Sequence, residues 1–322
     1  MLEVCRTCSN VRSADCTTHP RKRMACDLEQ DMSDKTLRLH FPQWQGGNME
    51  AYHFGSQLLA MLAPAASGPI ATVDVAEPDG TALSLENGIV ARSILLRQID
   101  SAEQILKREA PDKIVVLGGD CLVDLAPFSY LNQRYGGDLA VLWVDAHPDV
   151  VTPEHAAHAH AMVLGNLMGE GDSDFAKRVG QPIKPQNVMY AGLYDMSPVE
   201  WQIVERLGLR MATPSQLADD SEPVLDWLRL TGAKHVAIHF DLDVIDPSQF
   251  RSLNFAMPNI TPDAFAGVAR GRMTIPHVIR LLNDVAAQVE VVGLGITEHL
   301  PWDALIIRDM LRQLPLLGDS RK

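Results

Sequence analysis

The chain has 322 residues, 46% of them hydrophobic, with 28 Lys and Arg against 41 Asp and Glu, a formal net charge of −13. That length and apolar content suffice for a substantial buried core. The acidic balance, with no basic tract interleaved with aromatics, argues against a nonspecific nucleic-acid binder and is compatible with a cationic substrate.

The first segment carries four of the five cysteines, Cys5, Cys8, Cys16 and Cys26, together with His19. A zinc site is one reading of Cys5-x-x-Cys8 and its neighbours. No second such pair follows, however, and the Arg, Ser and Thr content without apolar periodicity favours a disordered leader over residues 1–34. Met24 and Met32 are alternative starts. The charged opening lacks the apolar run of a secretory signal, and the apolar stretch over 58–66 is too short to span a bilayer, so a cytoplasmic protein that makes no membrane contact is expected.

From about Leu37 onward short β-branched runs alternate with longer helical patterns, which predicts an α/β fold with a mostly parallel sheet covered on both faces. Strands are expected over 70–75, 113–117, 139–144, 187–192, 236–240 and 290–296. Helices are expected over 87–106, 198–207, 223–230 and 274–287, with Ser221 and Thr274 as caps for the last two. Val278, Leu281, Leu282 and Val285 form one apolar helix face. No repeat or low-complexity linker interrupts this region, so residues 35–318 read as a single catalytic domain.

Two runs follow expected strands directly: Asp145-Ala146-His147-Pro148-Asp149 and Asp241-Leu242-Asp243-Val244-Ile245-Asp246-Pro247. In an extended chain alternate side chains share a face, so Asp145, His147 and Asp149 converge, and Asp241 and Asp243 do the same. Carboxylates aimed at one point repel unless cations lie between them. With one imidazole the set suits divalent manganese first, then iron, cobalt, nickel or zinc. Asp246, followed by Pro247, reads as a turn residue. In open parallel sheets ligands sit beyond the carboxyl ends of strands, where these residues fall.

Read in order, Gly118-Gly119-Asp120, the two Asp runs and Glu298 make residues 37–315 resemble the ureohydrolase family of arginases, agmatinases and formimidoylglutamases. The resemblance implies a three-layer α/β/α sandwich, two divalent metal ions, and hydrolysis of a guanidino or amidino C–N bond by a metal-bridged hydroxide. It implies that Asp145 and Asp241 bridge the ions, that Asp149 completes one site, and that His147 and Asp243 hold the other. It also implies that His160 shuttles the proton the leaving amine needs, and that Glu298 grips the guanidinium. Imidazole suits a proton shuttle because its pKa lies near working pH, and a carboxylate suits paired hydrogen bonds to a planar cation. Homo-oligomerisation is a further family expectation.

Three departures bear on metal and substrate. Cys121 stands where most members carry a histidine ligand. It reads equally as a thiolate ligand favouring nickel, zinc or iron, or as a small buried apolar side chain, with His155 and His158 as substitutes. Ser197 stands where arginases place an aspartate for the substrate's α-amino group. His158 replaces an Asn two residues before the shuttle, and 254–259 replaces a Gly/Thr-rich loop. His158, Ser197 and Glu298 are therefore the expected substrate contacts, and the expected substrate is a small cationic guanidino or amidino compound, agmatinase- or arginase-like in chemistry but other than free arginine. The alternatives are a metal-impaired member with a binding or regulatory role, and an amide hydrolase on the same fold, against which Glu298 argues.

Overall fold

The computed structural model describes residues 34–261 and 263–313, so the expected leader with its cysteines and His19 lies outside the described residues. Eight strands form one sheet in the order β2-β1-β5-β10-β9-β6-β7-β8. They are β1 (Thr36–Phe41), β2 (Ile70–Thr72), β5 (Lys113–Gly118), β6 (Ala140–Val144), β7 (Val188–Ala191), β8 (Arg210–Ala212), β9 (His235–Asp241) and β10 (Glu290–Thr297). Every pairing in it is parallel. A separate antiparallel hairpin joins β3 (Leu85–Glu86) to β4 (Ile89–Val90).

The helices are α1 (Ala51–Leu62), α2 (Arg92–Glu109), α3 (Leu125–Arg134), α4 (Val163–Leu167), α5 (Ser173–Ala176), α6 (Pro198–Leu207), α7 (Glu222–Thr231), α8 (Ile275–Gln288) and α9 (Trp302–Leu311). They cover both faces of the sheet, which gives three layers. The period of two along each strand separates the two cores. Val141 and Trp143 of β6 pack with Leu95, Ile99 and Phe128 of α2 and α3. Ala140, Leu142 and Val144 pack on the other face with Trp227 of α7 and Leu281 of α8. Strands buried on both faces read as continuous apolar runs, as β6 does.

Two local expectations are corrected. The helix expected from residue 87 starts at Arg92. Asn87 and Gly88 both take left-handed φ, 49° and 84°, the turn that closes a two-residue hairpin. Ser221 precedes α7, but its hydroxyl donates to Asp284 Oδ2 at 2.7 Å and makes no side-chain cap. Thr274 does cap α8, accepting from the His277 amide. Among the described residues no helix is long and apolar enough to cross a membrane.

The apolar face of α8 gives a paired test of this packing. Leu281 is fully buried, whereas Ile279 is 56% exposed. Leu281→Ala is expected to lower unfolding free energy by about 2–5 kcal/mol, and Ile279→Ala by no more than about 0.5 kcal/mol, both read from urea denaturation.

Candidate metal centre

The middle four strands of the sheet, β5-β10-β9-β6, are consecutive neighbours, and because they run parallel their carboxyl ends open on one edge. Beyond β5 come Asp120 and Cys121, beyond β6 Asp145, His147 and Asp149, at the end of β9 Asp241 and Asp243, and beyond β10 Glu298.

The convergence has a different local cause from the alternation expected of an extended chain. The backbone bends immediately after each strand, and the first Asp accepts the amide two residues on. Asp145 Oδ1 accepts from His147 N at 2.7 Å, Asp241 Oδ1 from Asp243 N at 2.7 Å, and Asp120 Oδ1 from Leu122 N at 3.1 Å. One turn chemistry, the Asx turn, thus recurs at three strand ends. Asp149 comes into place through a left-handed backbone, φ 52°, and Glu298 likewise at φ 63°. Such conformations cost a non-glycine residue of order 1–3 kcal/mol and cluster at functional sites.

The side chains meet in a buried cluster. Cys121 Sγ lies 3.0 Å from Asp241 Oδ2 and 3.5 Å from Glu298 Oε1. His147 Nδ1 lies 3.1 Å from Asp243 Oδ2 and 3.5 Å from Asp145 Oδ1, and His160 Nδ1 is 2.9 Å from Glu298 Oε1. Potential ligand atoms fall within 4.8 Å of one another in overlapping groups, among them Asp145 with His147 and Asp243, and Asp241 with Asp243 and Glu298.

Electrostatics follow from burial and crowding. Burial, then the neighbouring Asp145, pushes the Asp149 carboxyl well up, and burial followed by Asp243 does the same to Asp241. Asp243 is pushed up by burial to about 6, with His147 pulling the other way. Burial and Asp241 push the Cys121 thiol well up. Burial disfavours the charged His147 ring, yet Asp243 and Asp145 hold its pKa well above the usual range. His160 is raised too, against burial, by Glu298. Glu298 is the exception among the carboxylates: burial would raise it, but His160 and the Tyr52 hydroxyl hydrogen-bond to it and hold it below its ordinary value.

The residues fit divalent cations. Asp149 Oδ2 and Asp243 Oδ1 are buried and have no hydrogen-bond partner, a costly state for carboxylate oxygens unless a cation faces them. Cys121, Asp145, His147, Asp149, Asp241 and Asp243 all belong to groups with metal-ligand proximity.

The expected substrate contacts separate. Glu298 and His160 form one pair. The half-buried His158 ring stands 6.2 Å from His160, centroid to centroid. Ser197 is exposed and serves as the cap of α6, its hydroxyl accepting the Glu200 amide while Glu200 accepts the Ser197 amide. His155 is exposed, with Nδ1 3.0 Å from Thr152 Oγ1. Asp246 accepts the Ser248 amide as a turn residue does.

Sequence reasoning missed several members of the site. Asp120, pushed up by burial to about 6, accepts the amides of Gly46 and Gly47 through Oδ2 and so fixes the loop that His160 touches. Tyr52 is buried beside Glu298. His239, Asp124 and Trp143 form a buried layer beneath Asp145. Of these, Asp120 stood in the Gly118-Gly119-Asp120 motif with no role assigned to it, and His239 had a signal of its own: it stands two residues before Asp241, on the same strand face.

The family described as the arginase family matches residues 60–256. The arginase of Staphylococcus aureus (strain MRSA252) is 29% identical over 140 residues, covering 41% of this chain and 46% of that protein. The chain therefore spans about half the length of the curated relatives it matches. The structure of Entamoeba histolytica arginase in complex with L-ornithine superposes with a TM-score of 0.70 at 18% identity, over 83% of this chain and 91% of that one. The formimidoylglutamase of Bacillus subtilis superposes with a TM-score of 0.61 at 16% identity, over 84% and 81%. These similarities to solved structures establish the fold.

Metal binding gives a direct check on the cluster. A divalent cation at a hundredfold excess over its dissociation constant is expected to add about 2.7 kcal/mol to stability, read as a rise in the thermal midpoint over chelator-treated protein. Asp241→Asn is expected to lose most of that rise.

Proposed function

Because the chain belongs to the arginase family, we propose that it hydrolyses a C–N bond of a small cationic guanidino or amidino compound other than free arginine, with two divalent cations, manganese first. The observation that carries this reading is the Glu298–His160 pair at 2.9 Å, set beside a cluster of unpartnered buried carboxylate oxygens. Cys121, Asp145, Asp149 and Asp241 would hold one cation, and Asp145, Asp241, His147 and Asp243 the other. Bound there, the cations supply an activated water at neutral pH and neutralise the acidic cluster.

The protein groups supply binding and proton transfer. His160 and Tyr52 keep Glu298 ionised in a buried place, as a carboxylate must be to pair with a planar cation through two charge-assisted hydrogen bonds. That pairing fixes the amidino carbon in one orientation beside the acidic cluster. Addition of water oxygen to that carbon takes one electron pair from C=N onto nitrogen. Breaking the C–N bond then expels an amine, which needs a proton. His160, whose pKa Glu298 raises against the effect of burial, donates that proton and regains one from the attacking water. The products are urea or a related small amide and the amine.

The residues Ser197 and 254–259 support a substrate other than arginine. Ser197 offers no carboxylate to an α-amino group, and Phe255 from the second segment packs against His147, ring centroids 5.9 Å apart.

The test is urea or amide release from a panel of guanidino and amidino compounds by protein reconstituted with manganese, nickel or zinc. Release from one or more compounds is expected. No release together with less than about one bound ion per chain would instead identify a metal-impaired member with a binding or regulatory role. Glu298→Gln is expected to cost about 2–5 kcal/mol of transition-state stabilisation, roughly thirtyfold to several thousandfold in kcat/KM, with metal content unchanged.

A further inference from the structure

His239 is a fully buried histidine in the middle of an apolar strand, and its two ring nitrogens have unlike surroundings. Nδ1 is 2.7 Å from Asp124 Oδ2, a contact in which an Nδ1–H donates to the carboxylate and leaves Nε2 as the bare nitrogen. Nε2 is buried and has no hydrogen-bond partner. The nearest carboxylate oxygen to it, Asp145 Oδ2, is 3.8 Å away, beyond hydrogen-bond reach, and already accepts from Trp143 Nε1 at 3.0 Å. A lone pair left bare in the core beside a carboxylate is costly for a structural histidine.

The surroundings hold the ring in this pose. Trp143 stacks on it at 3.7 Å with planes 12° apart. Asp124 is accommodated because β10 carries Gly295 opposite it, where a Cβ would come within 1.9 Å of Asp124 Oδ2. A carboxylate that accepts from one imidazole nitrogen while the other faces inward is the arrangement that orients metal-bound histidines and strengthens them as ligands.

The inward nitrogen has suitable company: His239, Cys121, Asp145 and Asp149 offer ligand atoms all within 4.8 Å of one another. We infer that His239 is the imidazole ligand of the first metal site, entering from the floor of the sheet beside Cys121, with Asp124 as its positioning residue. The inference rests on the two-cation reading above. It gives that site one nitrogen, one sulfur and carboxylate oxygens, a set that accepts zinc, nickel or iron as well as manganese.

The experiment compares wild-type, His239→Ala and Asp124→Asn chains, each loaded with zinc or manganese, by metal analysis, equilibrium dialysis and thermal unfolding. The expected result is one fewer ion per chain in His239→Ala, and an affinity at that one site about tenfold to a hundredfold weaker in Asp124→Asn. Two ions held with wild-type affinity in His239→Ala overturn the assignment and leave the two-cation reading standing. A wild-type chain that holds no ion overturns both. Should His239→Ala fail to fold, nitrogen NMR of histidine-labelled wild-type protein loaded with cadmium decides. Cadmium–nitrogen couplings to two histidines, His147 and His239, support the assignment, and a coupling to His147 alone overturns it.

Discussion

Everything at the carboxyl edge of this sheet is organised around mutual repulsion among buried carboxylates. Asp145, Asp149, Asp241, Asp243 and Glu298 are all buried and share one small volume, where Coulomb terms are far stronger than in water. Among the described residues His147 and His160 are the imidazoles that touch these carboxylates, and against the effect of burial those carboxylates raise the pKa of each. The chain limits the cost by tying one oxygen of Asp145 and of Asp241 to a backbone amide, while Asp149 Oδ2 and Asp243 Oδ1 are left buried without a partner. A cluster built in this way is complete only with cations in it.

The geometry is held by backbone more than by side-chain packing. Glu298 and Asp149 occupy left-handed conformations that a non-glycine residue leaves unless it is constrained. The constraint is visible at both: the Glu298 amide donates to Gly119 O at 2.7 Å, and Asp149 O accepts from Gly165 N at 3.1 Å. Asp120 adds a third restraint by fixing Gly46 and Gly47, which places the Gly46 carbonyl to accept from the His160 amide at 3.3 Å. Strain of this kind is sustained by the two cores on either face of the sheet, and it keeps Glu298 and His160 in register with strands that belong to opposite halves of the chain.

Much of this was legible in the sequence, for reasons that also explain what was not. β6 and β9 showed as apolar runs, and their Asp residues were evident because carboxylates immediately after buried strands have few uses. β8, with three residues, carries too little periodicity to be read. Asn87-Gly88 was legible as a hairpin turn, but the helical spacing of the apolar residues after it masked the signal. Tyr52 and Asp124 could not be read as site members, since their roles come from contacts 246 and 115 positions away in the chain, and no local pattern encodes those; Asp120 showed in its Gly-Gly-Asp motif, but its hold on Gly46 and Gly47, 74 and 73 positions away, did not. His239 was different. Strand alternation put it on the Asp241 face, and a polar ring in that position within an apolar strand is a signal in its own right.

The family match over residues 60–256 contains Cys121, both Asp runs and His160, but it stops within the 254–259 segment and short of Glu298. Of the expected substrate contacts, His158 and Ser197 lie inside the match and Glu298 lies beyond it. Phe255 forms an apolar wall against His147 and stacks edge-on with Phe265 at 4.8 Å, and Arg270 stands 6.0 Å above its ring. Next to it, a cleft of about 580 Å³ is lined by Tyr194, Asp195, Phe255, Arg270 and Arg272. On the proposed reading, the metal ligands and His160 set which bond breaks, and this wall with Glu298 sets which molecule presents it. The cleft sets the guanidinium groups of Arg270 and Arg272 among the carboxylates of Asp195 and Asp246, so on that reading the far end of a substrate would meet both signs of charge there, and the match of charges along it would decide which molecule is held.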